Sequence, residues 1–144
     1  MDDHALAADI AREAGELLVE LQARQVGKDE GDRLSNDLIL ARLAVTRPDD
    51  AILSEEGSGD TGRTGTDRLG RDRVWIVDPL DGTTNFLHGI PQFAISIGLE
   101  RSGAIVAGVI YNPITDEMFV AERGKGFDPE VVDALAASRE RSAA

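Results

Sequence analysis

"FAISIGLERSGAIVAGVIYNPITDEMFVAE", residues 93–122, decides the fold class of this chain. Along its first third, Phe93, Ile95, Ile97 and Leu99 alternate with Ala94, Ser96, Gly98 and Glu100. A period of two with unlike faces is the mark of a strand. "RSG" at 101–103 and "NPITD" at 112–116 read as turns, each followed by a further apolar run, so three strands form an antiparallel meander. The small residues of the second face leave room for helices to lie close against it.

The helices are expected upstream. From residue 3 to about residue 24, Leu6, Ile10, Ala14, Leu17, Leu18 and Leu21 recur at helical spacing. A polar break, "VGKDEGD" at 26–32, separates this helix from a second periodic segment carrying Leu34, Leu38, Ile39 and Leu43, which Pro48 closes. "AIL" at 51–53 is a short strand ending in "SEEG", and "RVWIVD" at 73–78 is a strand delivering Asp78 at its end. Between them, residues 57–70 are a Gly, Thr and Asp loop without periodicity. These elements make an α+β domain, two helices covering a mainly antiparallel sheet. "DPEVVDALAASRERSAA", residues 128–144, opens with an N-cap and a proline and reads as a short exposed helical tail.

Composition narrows the function. The 144 residues carry a formal net charge of -12, which repels nucleic acid backbones and anionic membranes. There is no cysteine, hence neither a disulfide framework nor a thiolate metal site. The acidic start lacks the flank of a signal peptide, and a soluble, cytoplasmic protein is expected. Such a protein can still act on a small phosphorylated metabolite, provided divalent cations stand between its carboxylates and the substrate.

The chemistry concentrates in "WIVDPLDGTTNF", residues 75–86, and in "SEE" at 54–56. Mg²⁺ and similar hard cations take oxygen ligands, commonly one or two carboxylates plus phosphate oxygens. Glu55, Asp78 and Asp81 are candidates for the protein's share. Pro79 fixes the backbone after Asp78, and the step to Asp81 turns the chain so that both carboxylates approach one ion or a pair. Gly82 permits close approach to a ligand, and the amides of Gly82, Thr83 and Thr84 open a helix whose N-terminus attracts an anion. Each piece alone has an ordinary reading: "DG" is a common turn pair, Asp before a helix is an N-cap, and "SEEG" suits a solvated surface. Both lie at the ends of predicted strands, and that coincidence points to a site. His4 and His88 lack ligand-spaced partners and suit surface or loop roles, Trp75 suits the core, and Lys125 a solvated turn.

With these residues in hand, the chain resembles the inositol monophosphatase superfamily of Mg²⁺-dependent, lithium-sensitive phosphatases. "WIVDPLDGTTNF" is similar to its signature and "SEE" to its upstream acidic motif, and the likeness runs from residue 5 to residue 127. The resemblance implies that Glu55, Asp78, Asp81 and the Leu80 carbonyl bind metal, that Gly82 and Thr83 bind phosphate through their amides, and that Thr83 and Glu55 activate the attacking water. It implies the first half of an αβαβα sandwich, residues 1–127, followed by an unrelated tail, since nothing like the family's "WDxAAG" segment follows Phe127.

Two subfamilies are open. "TTNFLHGIPQFAISIGL" resembles inositol monophosphatases and related sugar phosphatases, whereas "LAADIAREAGELL", "GDRLSNDLI" and "RPDDAILSEE" resemble 3'(2'),5'-bisphosphate nucleotidases. The family's Asp-x-Val-Thr-x-x-Asp stretch is blurred, with only Asp37 matching. An active phosphatase, a metal- and phosphate-binding module without turnover, a homodimer and an assembly with a complementing chain are all consistent with these motifs; phosphatase is the function expected.

Overall fold

A computed structural model describes residues 2–54 and 72–122. Its elements run α1 (Asp3–Ala23), α2 (Lys28–Thr46), β1 (Ala51–Ser54), β2 (Arg73–Asp81), α3 (Thr83–Leu87), β3 (Ala94–Arg101), β4 (Ala104–Asn112) and β5 (Glu117–Glu122). The five strands form one sheet in sequence order. β1 and β2 are parallel and every other neighbouring pair is antiparallel, giving the expected α+β class with its meander. Ser102 and Gly103 both have positive φ, 52° and 84°, as a tight two-residue hairpin requires. At the next turn the Asn112 side chain accepts from the Ile114 and Thr115 amides at 2.9 and 3.3 Å.

The helices occupy the opposite face from the one expected. Ile95, Ile97 and Leu99 are at most 1% exposed and share one core with Leu6, Ile10, Ala14 and Leu18 of α1 and Ile39 and Leu43 of α2. The helices therefore cover the large apolar row of β3, not the small one. The physical reason is area: each Leu or Ile taken fully out of water contributes about 1.5–3 kcal/mol, and a Ser or Gly row offers almost none of that. The second face carries Ser96 and Gly98, with a smaller cluster of Ala51, Leu53 and Val74 beside them.

α2 also begins earlier than its apolar stripe suggests, at Lys28, inside the expected break. Gly31 explains why that turn shows no apolar stripe. A Cβ added there would lie 2.8 Å from the Phe86 ring, so a bare backbone face packs on an aromatic where a stripe residue would not fit.

One polar cluster secures the edge where β1 and β2 begin. Buried Asp50 accepts from Arg73 Nε at 3.0 Å and from the indole of fully buried Trp75 at 2.9 Å. Arg73 and Arg47 both bond Asp3 of α1, at 2.9 and 3.0 Å. The start of the first helix is thereby tied to the start of the central strands. Trp75 is a core residue, as expected, with its one polar atom satisfied.

Candidate metal and phosphate site

The site is made by an irregularity at the other end of β2. In register, Asp78 faces Ser96 and Asp81 faces Ala94, with a shift between the two pairs. Three steps along β2 thus match two along β3, a β-bulge at Pro79 and Leu80. Side chains alternate along a strand, so a regular ladder would put residues 78 and 81 on opposite faces. Because Ser96 and Ala94 are two apart and share a face, the bulge brings Asp78 and Asp81 onto the same face. Pro79 is tolerated there because a bulge residue needs no ladder N–H. The strand continues through Asp81, so the chain does not turn after Asp78 as expected; the bulge, not a turn, brings the carboxylates together.

Gly82 then makes the turn, with φ 89° and ψ 42°. A Cβ there would meet the Gln92 carbonyl oxygen at 3.0 Å and the Phe93 Cα at 3.3 Å, so both conformation and space demand glycine. α3 begins at Thr83, as expected, and its first backbone bond joins the Phe86 amide to the Gly82 carbonyl at 3.0 Å. The amides of the first turn have no intrahelical acceptor and stand at its open end. Thr83 is half-buried and Thr84 exposed. Asp81, Gly82, Asn85, Phe93 and Asn112 line a cleft of about 370 Å³ beside this turn.

The short helix is held from below. Phe86 is buried against Phe93, the rings edge to face with centroids 5.4 Å apart. Gln22 of α1 donates to the carbonyls of Phe86 at 3.1 Å and Ile90 at 3.4 Å, and Asn85 donates to that of Gln92 at 2.8 Å.

Of the residues expected from sequence, Asp78, Leu80, Asp81, Gly82, Thr83 and Thr84 thus form one continuous strand-bulge-turn-helix unit. Glu55, Glu56, Lys125 and the tail at 128–144 lie outside the described residues. Ser54, which precedes Glu55 in sequence, is the register partner of Val77, which precedes Asp78, and the two strands run parallel. The condition that these strands be neighbours is therefore met. Among the described residues no three His, Cys, Asp or Glu side chains converge as a metal group. The donors present are two carboxylates on one face and the backbone of a bulge, all hard oxygen. That set suits Mg²⁺, which takes few protein ligands and keeps water or phosphate on its remaining positions.

Asp37, the residue matched to the blurred motif, is on the solvent side of α2, paired with Arg33 at 3.5 Å. The buried row of α2 runs through Gly31, Ser35, Asn36, Ile39, Leu40 and Leu43. Ser35 and Asn36, both 0% exposed, were not among the candidates. The signal that marks them is an i, i+4 row from Gly31 to Leu43 that passes through a serine. Ser35 donates to the Pro79 carbonyl at 2.7 Å, between the two carboxylates, and Ser54 donates to the Asn36 Oδ1 at 2.6 Å. His4 pairs with Glu122 at 3.6 Å and His88 is exposed after α3, in keeping with surface and loop roles.

The model of the inositol monophosphatase family matches residues 3–135. An inositol-1-monophosphatase of Mesorhizobium japonicum is 49% identical over 120 residues, 81% of this chain and 43% of its own length. A 3'-phosphoadenosine 5'-phosphate phosphatase of Mycobacterium leprae is also 49% identical, over 118 residues, 75% of this chain and 41% of that protein. Among solved structures, the extragenic suppressor protein suhB of Bartonella henselae superimposes with a TM-score of 0.73 at 46% identity, covering 85% of this chain and 48% of the other. The chain spans less than half the length of the curated relatives it matches.

Proposed function

Because the chain belongs to the inositol monophosphatase family, we propose that its site serves a Mg²⁺-dependent phosphomonoesterase acting on a small phosphorylated metabolite, inositol monophosphate or a related polyol phosphate. The observation that carries this reading is the bulge that turns Asp78 and Asp81 to one face directly before a left-handed Gly82 and the open end of α3. Carboxylates for a cation and amides for a phosphate are adjacent along seven residues, 78–84.

Asp78, Asp81 and the Leu80 carbonyl would hold the cation, with Glu55 as a further ligand. Mg²⁺, when bound, supplies positive charge that polarises phosphoryl oxygens and makes a water nucleophilic near neutral pH. The amides of Gly82, Thr83 and Thr84 donate to the oxygens of the phosphate, which the net charge of -12 would otherwise repel. The Thr83 hydroxyl and the Glu55 carboxylate orient the attacking water and take its proton. Residues 1–127 form this metal and phosphate unit.

A second reading, a 3'(2'),5'-bisphosphate nucleotidase, is favoured by the 49% identity to the Mycobacterium leprae protein so named. Phosphate release in Mg²⁺ from inositol 1-phosphate and from 3'-phosphoadenosine 5'-phosphate separates the two. Release from one substrate, abolished in Asp78→Asn and by lithium, supports a phosphatase and selects its substrate class. Folded protein that binds Mg²⁺ and releases phosphate from neither is a binding module, and the phosphatase reading falls.

A further inference from the structure

Pro79 lies in a strand that is buried from Val74 to Leu80, and the bulge there withdraws backbone from the ladder between β2 and β3. The carbonyl of a regular strand points in the plane of the sheet at its neighbour, and a buried one that loses that partner must find another. The Pro79 carbonyl finds it off the sheet, in the Ser35 hydroxyl of α2, which donates to it at 2.7 Å. Ser35 is itself 0% exposed, so the bond is made out of reach of bulk solvent. Leu80 is anchored on the same side, in the core that the sheet shares with α1 and α2. Asp78 and Asp81 stand on the other side, in register with Ser96 and Ala94. Two contacts on the helix side thus secure a bulge whose carboxylates face away from the helices. Were the ladder to run on regularly from Asp78, Leu80 would face Ala94 and Asp81 would turn toward the helices, apart from Asp78.

We propose that Ser35 is a positioning residue for the candidate metal site: from the helix side, its hydroxyl holds the bulge that keeps the Asp78 and Asp81 carboxylates together on the opposite face of the sheet. This rests on the metal reading above and deepens it. Ser35 touches no ligand; it acts through the backbone, fixing the step between the two carboxylates and the peptide that leads into Leu80, whose carbonyl is among the expected ligands. Hydrogen bonds that orient a metal site from outside change metal affinity about 10–100-fold when removed.

The test is Mn²⁺ affinity of the full chain by electron paramagnetic resonance, with folding checked by circular dichroism in the absence of metal. Ser35→Ala removes the hydroxyl and should bind Mn²⁺ about tenfold or more weakly. Ser35→Thr keeps the hydroxyl and should bind as the wild type does. Asp50→Asn, at the opposite end of the parallel strands, should lower stability and leave Mn²⁺ affinity unchanged, which separates loss of position from loss of stability. If Ser35→Ala does not fold, Ser35→Cys, of similar size and with only a weak donor, takes its place under the same criterion. Affinity in that variant equal to wild type, an equal weakening in Asp50→Asn, or a folded Ser35→Thr as weak as Ser35→Ala overturns the proposal, while Mn²⁺ binding by the wild type keeps the site itself. Absence of Mn²⁺ binding by the wild type overturns both.

Discussion

Gly82→Ala perturbs the turn on which the phosphate site depends, and its cost can be worked from two separate observations. The first is conformational: at φ 89° an L side chain is strained by about 1–2 kcal/mol, partly offset by the stiffer unfolded chain, leaving a net of about 1 kcal/mol. The second is steric: the new methyl would stand 3.0 Å from the Gln92 carbonyl oxygen and 3.3 Å from the Phe93 Cα, both backbone atoms that cannot swing away. Shifts of that kind in a packed region cost about 1–3 kcal/mol. The expected loss is therefore about 2–4 kcal/mol. Gly89 provides the control, because its φ of 72° imposes similar strain while a Cβ there has nothing within 4 Å. Urea denaturation of both variants should give about 1 kcal/mol for Gly89→Ala and at least a further 1 kcal/mol for Gly82→Ala, with unchanged m-values. Equal losses would refute the steric part of the reasoning, and a Gly82→Ala variant as stable as wild type would refute all of it.

Other consequences follow from the polar contacts. Asp50→Asn removes the charge that serves both Arg73 and the Trp75 indole, and urea denaturation should show a loss of about 2–3 kcal/mol. Asp3 is raised by its partial burial but lowered more by hydrogen bonds from Arg73 and Arg47, which hold it below the ordinary carboxylate range. A depressed folded pKa means its contribution is complete above the unfolded value and is lost as pH falls through the folded one. Asp3→Asn should accordingly destabilise at pH 7 and cost progressively less as the medium becomes more acidic than the ordinary Asp range, read from denaturation curves across that range. Gln22→Ala frees the carbonyls of Phe86 and Ile90, and amide exchange over residues 86–90 should quicken about fivefold, the equivalent of ~1 kcal/mol, with little change in global stability.

Most of the architecture is written in local pattern. The alternation from Phe93 to Leu99 identifies β3, the turn residues at 101–103 and 112–116 identify the hairpins, and the leucines of α1 mark a helix within a residue or two of its observed ends. What alternation does not state is which face is covered, since both rows of β3 are regular; burial of the larger row decides it. α2 hides its first turn because the contact there is between a glycine and Phe86, which leaves no apolar stripe. The candidate site is legible as composition from Asp78 to Thr84, but that composition suggests a turn after Asp78 where the structure has a bulge. Pro79 inside an otherwise central strand is the clue to a bulge, because a proline there cannot serve a regular ladder. The burial of Ser35 and Asn36 is hidden because polar residues in a helix read as its wet side unless the row they belong to is traced from Gly31 to Leu43.

The bulge also decides what a change in length would do here. Loss of either Pro79 or Leu80 would leave two steps along β2 against two along β3, a regular ladder in which Asp81 still faces Ala94 on the side of Asp78. The two carboxylates would keep their common face, and what the deletion would take away is the extra stretch of backbone between them, where Ser35 of α2 holds the Pro79 carbonyl. Insertion of one further residue is the opposite case: four steps against two would again put both carboxylates on one face, but with a wider bulge between them.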